Sequence, residues 1–181
     1  MKGIIFTEFI EHIEQELGLD VLDAVLSAGN FASGGSYTAV GDYDHRELIQ
    51  LVAALSKATK IPASELLLGF SRYLFRIFVR RPETVQAGAT NTFEMLEALD
   101  TTVHTTVRKL YPNASLPAFK CTREGDTMRV HYQSHRCMGA FACGMLRAAI
   151  EHYGDALEIE EIDLDGGKGG LVEFVLSPTY G

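Results

Sequence analysis

The sequence predicts an α+β fold: an N-terminal helical lobe followed by a ββαββ lobe. Two observations carry this. Through the first two thirds of the chain, apolar side chains recur at the three- and four-residue spacing of helices, and after Pro117 they alternate with a period of two. The strand-like segments come as two pairs, each closed by a glycine-containing turn, with one helical segment between the pairs.

Residues 3–17 place Ile4, Ile5, Phe9, Ile13 and Leu17 at helical spacing, and Gly18 supplies the stop. Asp20 reads as the N-cap of a short helix, Val21–Ala28, ended by Gly29-Asn30. Residues 30–43, rich in Gly and Ser, read as an ordered loop. Asp44 then caps a helix near 45–59 that carries Leu48, Leu51, Val52 and Leu55. Pro62 suits the first turn of a helix over about 62–80, which is apolar around most of its circumference and so belongs at the centre of a domain. Pro82 breaks it. A further helix runs from about Asn91 to Leu110, with Phe93, Leu96, Leu99, Val103 and Val107 as its stripe and Tyr111-Pro112 as its end.

Ala118–Glu124 and Thr127–Gln133 form a hairpin around Gly125-Asp126. The next helix, about 138–153, turns Phe141, Met145, Leu146, Ala149 and Ile150 inward, and Gly154 ends it. Leu157–Leu164 and Leu171–Leu176 make the second hairpin around Gly166–Gly170.

Composition narrows the function. The 181 residues are 46% hydrophobic and 22% charged, which suits a globular domain with a real core. Sixteen Lys and Arg stand against 24 Asp and Glu, a net charge of −8, so neither nucleic acid nor an anionic membrane is expected as the main partner. No run approaches the roughly 20 apolar residues of a membrane span. Glu8, Glu11, Glu14 and Glu16 interrupt the apolar N-terminus, unlike a signal peptide. Three cysteines do not make a disulfide framework, and a cytoplasmic location is expected.

Catalytic signatures are missing: there is no phosphate loop, HExxH, GxSxG or CxxC, and no catalytic residue is expected. The acidic run Glu158, Glu160, Glu161, Asp163 and Asp165 alternates with Leu157, Ile159, Ile162 and Leu164, and reads as a solvated strand face. Cys137 and Cys143 read as small buried hydrophobes.

Two features stand out. His104 borders the apolar stripe of its helix, four residues after Asp100. It is either a core histidine satisfied by Asp100 or a carbonyl, or a metal or haem ligand. The second feature is Tyr132-Gln133-Ser134-His135-Arg136. Strand alternation turns Tyr132, Ser134 and Arg136 to the face of Met128 and Val130, where phenol, hydroxyl and guanidinium together suit a carboxylate.

The opening Met1-Lys2-Gly3-Ile4-Ile5-Phe6, the His104 helix with Arg108-Lys109-Leu110-Tyr111-Pro112, and Tyr132-x-Ser134-x-Arg136 resemble the haem nitric oxide/oxygen binding (H-NOX) family, which includes the haem domain of soluble guanylate cyclase. Gly35-Ser36-Tyr37-Thr38 and Ser71-Arg72-Tyr73-Leu74-Phe75 extend the likeness over nearly the whole chain in order. The resemblance implies one H-NOX domain over 1–181, with a helical subdomain of about 1–60 and a haem-binding subdomain of about 61–181. It implies a b-type haem between the helical and ββαββ lobes, His104 as proximal iron ligand, and Tyr132, Ser134 and Arg136 on the propionates. Pro117 falls where the family packs a proline against the haem, and Ile5, Leu74, Phe78, Phe141 and Met145 fall where it lines the pocket.

The chain also departs from relatives. Oxygen-binding members carry a tyrosine donor where this chain has Phe141, and polar partners where it has Phe9 and Leu74. Residues 153–181 hold no Cys or His, so the zinc site of some relatives is missing. Ser71 replaces a glycine common beneath the proximal histidine. The expected function is a non-enzymatic sensor that binds NO and CO at ferrous haem, excludes oxygen, and signals in trans to a histidine kinase or a cyclic-di-GMP enzyme. The alternatives are a haem-dependent redox enzyme, an oxygen-binding haem protein, or a haemless module for an apolar molecule. An apolar distal side lacks the acid/base pair that peroxide cleavage needs.

Overall fold

Gly3–Leu17 forms helix α1, with Phe6, Phe9 and Ile13 buried, Glu8 buried beside them, and Glu11, Glu14 and Glu16 exposed. It ends at Gly18, whose φ of 87° is costly for any residue with a Cβ. The same glycine starts α2, Leu19–Ala28, so Asp20 lies in the first turn and is not the N-cap expected for it. The two helices abut across one residue, which leaves no room for a separate cap.

The computed structural model of the chain describes residues 1–80, 88–99, 104–110 and 115–179, grouped into two compact units, Met1–Leu74 and Phe75–Gly181. Among the described residues no helix is long and apolar enough to cross a membrane.

In the first unit, α1 packs on α2, and α2 on α3, His45–Thr59, which buries Leu48, Leu51, Val52 and Leu55. The Asp44 carboxylate accepts the N–H of Arg46, the cap read from sequence. The Gly/Ser-rich loop before α3 is ordered by Glu47. Its buried carboxylate accepts the Ser33 hydroxyl at 2.6 Å and the Tyr37 phenol at 2.9 Å, while the Tyr37 ring stacks on Phe6 at 4.7 Å. Burial and then the Glu47 carboxylate push the Tyr37 phenol up to about 12, against the opposing effect of the nearby Ser33 hydroxyl.

Helix α4, Ala63–Val79, starts one residue after Pro62, whose carbonyl accepts the N–H groups of Glu65 and Leu66. Phe70, Ser71, Tyr73, Leu74 and Phe75 are buried, whereas Leu66, Leu67, Leu68, Ile77 and Phe78 are half-buried. Burial is concentrated in the middle turns and does not surround the whole helix as its composition suggests.

In the second unit the single helix expected over 91–110 is recorded as two elements, α5, Thr92–Glu97, and α6, His104–Leu110. The Asn91 side chain caps α5 by accepting the Glu94 N–H. Asp100, Val103, Pro82, Tyr111, Pro112 and the side chain of Val107 lie outside the described residues.

Strands β1, Ala118–Glu124, and β2, Thr127–Gln133, form the first hairpin, with Gly125 at φ 63° in its turn. Helix α7, Gly139–Tyr153, precedes β3, Leu157–Asp163, and β4, Leu171–Pro178. The sheet is antiparallel throughout in the order β1-β2-β4-β3, so the pairing of β2 with β4 joins the hairpins. Met128, Val130 and Tyr132 of β2 and Val172, Phe174 and Leu176 of β4 pack with Ala142, Cys143, Leu146 and Ile150 of α7 and with Phe93 and Leu96 of α5. On the opposite face Glu173 pairs with Arg129 at 3.1 Å and His131 at 3.0 Å. Period-two alternation therefore separates core from charge on the central strands.

Candidate functional site

Tyr132 is the last core-facing residue of β2 and is only 3% exposed. Antiparallel register sets Phe119 of β1 directly across from it, with ring centroids 5.4 Å apart. A second ring beside Phe119 is that of His104, the first described residue of α6, at 5.7 Å between ring centroids and 8% exposed. One half-buried aromatic ring thus touches both the imidazole and the phenol singled out in the sequence. Phe119 was not among the expected site residues. Its signal was available as an aromatic on the inward phase of β1, opposite Tyr132 once the hairpin register is drawn.

Strand alternation does not carry Ser134 and Arg136, because β2 ends at Gln133 and both lie in the turn that follows. That turn has its own hydrogen bonds. The Arg136 N–H donates to Ser134 Oγ at 3.2 Å, and the Cys137 N–H to the Ser134 carbonyl at 3.3 Å. Cys137 adopts a φ of 54°, which reverses the chain into α7. Burial pushes the Tyr132 phenol's pKa up, opposed by the nearby Ser134 hydroxyl, the Met138 backbone and the Arg136 charge. The strand face expected to present Tyr132, Ser134 and Arg136 together is not there: Ser134 and Arg136 stand near Tyr132 through the turn. His135 lies in the same turn, exposed, while His131 alone occupies the strand face opposite Tyr132.

A second loop touches this turn. Between β3 and β4, the Asp165 carboxylate accepts four backbone N–H groups: Lys168 at 3.1 Å and Gly169 at 3.0 Å on Oδ1, Gly170 at 2.7 Å and Leu171 at 2.9 Å on Oδ2. Partial burial raises its pKa, but these N–H groups outweigh it and hold the carboxyl below its usual range. Asp163 similarly accepts the Gly167 N–H at 2.6 Å. The acidic run is thus not one solvated face. Glu158, Glu160, Glu161 and Asp163 are all exposed, but apolar alternation slips between Glu160 and Glu161, so Glu161 stands opposite Phe174 while Ile162 stands opposite Glu173. The composition of Asp165-Gly-Gly-Lys-Gly-Gly carried the missed signal, an Asp placed to accept the N–H groups of a glycine turn.

All three cysteines are free, and only Cys143 is buried. Cys137 is exposed, contrary to its reading as a buried hydrophobe, because it precedes α7 in the turn. Of the expected pocket residues, Phe9 and Leu74 are fully buried in the first unit and Ile5 is half-buried there. In the second unit Phe78, Pro117, Phe141 and Met145 are each half-buried.

The donor set can be tested against a ligand. Among the described residues no three His, Cys, Asp or Glu side chains converge on a metal-sized site. One buried imidazole on an aromatic wall, with a cationic hydrogen-bonding turn on the same sheet, suits a metal whose other ligands belong to a macrocycle bearing carboxylates. Haem meets that description, and the residues fit it.

An α+β fold with this pair of features defines a class of porphyrin-binding proteins. Comparison with known proteins supplies the family: the family model described as Haem-NO-binding matches residues 2–161. The fold is similar to the Fe(II) unliganded H-NOX protein from K. algicida, at 31% identity and a TM-score of 0.90, over 100% of this chain and 98% of that one. It is also similar to the H-NOX from Shewanella woodyi solved with IWP-051 in the Fe(II)CO state, at 36% identity and a TM-score of 0.84, over 99% and 95%. An S. oneidensis H-NOX in the Fe(II)NO state shares the fold, with a TM-score of 0.86 at 20% identity, over 99% and 100%. The chain belongs to the haem-NO-binding, or H-NOX, family of gas-sensor domains.

Proposed function

We propose that this chain is a b-type haem sensor, a single module without catalytic activity, that binds NO and CO, excludes oxygen and signals in trans to a histidine kinase or a cyclic-di-GMP enzyme in the cytoplasm. The observation that carries the reading is Phe119, in contact with both His104 and Tyr132. His104 would hold the iron through its imidazole. Tyr132, Ser134 and Arg136 would hold the propionates, and Phe78, Pro117, Phe141 and Met145 would supply apolar walls. When bound, haem supplies ferrous iron as the gas-binding centre. The chain itself orients the porphyrin, excludes water and presents donors to its carboxylates. The absorption spectrum of the purified protein tests this: a Soret band is expected, and an apoprotein that takes up no added haem would refute the reading.

The clamp makes a graded prediction. Arg136→Ala leaves a carboxylate without its charged partner, a loss of about 1.5–3 kcal/mol, whereas Tyr132→Phe removes one neutral hydrogen bond, about 0.5–1.5 kcal/mol. Haem transfer to apomyoglobin should quicken in the order wild type, Tyr132→Phe, Arg136→Ala. Equal rates for wild type and Arg136→Ala would contradict the assignment.

Gas selectivity follows from what α7 lacks. Retaining O2, unlike NO or CO, depends on a hydrogen-bond donor that stabilises the charge O2 draws. Met138, Gly139, Ala140, Phe141, Ala142 and Met145 offer no side-chain donor, and Cys137 and Cys143 only weak ones. The reduced, haem-loaded protein is expected to change its spectrum with NO and CO and to give no persistent new spectrum in air before oxidising. A stable air-induced spectrum would overturn the oxygen-exclusion reading. Phe141→Tyr adds one phenol to this helix and is expected to shift the protein toward oxygen binding.

A further inference from the structure

The strongest unassigned feature is the contact between the β3–β4 glycine loop and the turn that carries Ser134 and Arg136. The Ser134 N–H donates to the Gly170 carbonyl at 2.8 Å, and the Gly139 N–H, at the start of α7, donates to the Gly169 carbonyl at 2.9 Å. Both ends of the 134–139 segment are thereby bonded to two adjacent loop carbonyls. Those carbonyls have fixed directions because Asp165 holds the N–H groups of Lys168, Gly169, Gly170 and Leu171. The packing is tight, so that a side chain at either glycine would press on its neighbours. A Cβ on Gly170 would lie 3.0 Å from Asp165 Oδ2, 3.1 Å from the Ser134 carbonyl and 3.2 Å from Cys137 Sγ. On Gly139 it would lie 2.8 Å from Val172 Cγ2 and 3.1 Å from the Gly169 carbonyl.

We propose that Asp165 is a positioning residue for the carboxylate clamp: by fixing the glycine loop it sets where Ser134 and Arg136 point, and so governs how tightly the propionates of a porphyrin are held. Asp165 itself makes no contact with the ligand. The proposal rests on the reading of Tyr132, Ser134 and Arg136 as a propionate clamp. Partners that orient first-contact groups commonly change affinity by factors of ten or more when removed. A residue that merely stabilised the loop would weaken every ligand alike, and one that aims donors at carboxylates would weaken only ligands that have them.

That difference is the test. Loss of haem and of haem dimethyl ester, which lacks free carboxylates, is timed for wild type, Asp165→Ala and Gly170→Ala in the full chain. Wild type is expected to hold haem longer than the ester. Asp165→Ala should release haem about tenfold faster while releasing the ester at the wild-type rate. Gly170→Ala keeps the carboxylate but wedges the loop from the turn, and should show the same selectivity if the alanine variant of Asp165 fails to fold. Equal acceleration for both porphyrins, or wild-type rates for both, would overturn the proposal. A wild type that does not distinguish haem from its ester would instead remove the clamp reading beneath it.

Discussion

Replacing His104 by alanine is expected to yield protein that purifies without most of its haem, with imidazole in the growth medium restoring at least part of it. A ligand imidazole would provide the protein-to-iron bond of the proposed site, and among the described residues no group of three or more His, Cys, Asp or Glu gathers to take its place. Removing it leaves the apolar walls and the clamp, which hold a porphyrin but not its metal. Free imidazole can refill the space because the substitution removes the ring itself. The remaining histidines are internal controls with identifiable partners. His45 lies 3.3 Å from Asp44, His131 pairs with Glu173, His152 meets Phe75 edge-on, His12 packs against Tyr73, and His135 is exposed in its turn. Substituting His131 or His135 should leave haem content unchanged. An unaltered ferrous spectrum in His104→Ala would remove that residue from the iron.

Phe174→Ala is expected to produce the largest loss of stability among core substitutions in the second unit. Its ring is fully buried on the central strand β4, between Val130 and Glu161 in register, and packs 6.4 Å from the Tyr132 ring. Truncating a buried Phe costs about 3–5 kcal/mol, the transfer free energy of the ring plus the cavity it leaves. Val175, next on the strand but on the opposite, half-buried face, should cost only about 1 kcal/mol as alanine. Denaturant midpoints at constant m-value measure both. Similar losses at the two positions would mean that the sheet does not bury one face as described.

The elements were readable because each carries its own punctuation. Gly18, Asp44, the Gly125 turn and Gly154 mark boundaries that the structure reproduces to within a residue or two. His104 and Tyr132 were readable for a related reason, since each is a polar side chain within an apolar pattern. What local patterns cannot show is pairing across distance. Phe119 matters through its register with Tyr132, and the Asp165 loop through carbonyls that meet residues some thirty positions earlier, a separation no periodicity reports. Ser134 and Arg136 follow Tyr132 in a turn, not along the strand face that alternation implies. A strand end and an ST-turn place alternate residues together equally well on paper, and only the hydrogen bonds of the turn tell them apart. Cys137 was misjudged by the same route, because composition does not announce that the chain reverses there before α7 begins.

Synthesis order gives the β2–β4 pairing a temporal meaning. A ribosome releases the Tyr132–Arg136 segment roughly thirty residues before the loop that orients it, at a pace of seconds. During that interval the first hairpin and α7 can form from local contacts, but the carbonyls of Gly169 and Gly170 do not yet exist to receive Ser134 and Gly139. Cofactor capture with full selectivity for carboxylates therefore belongs to the completed sheet. A nascent chain stalled before residue 165 would meet haem with His104 and with a clamp that nothing yet positions.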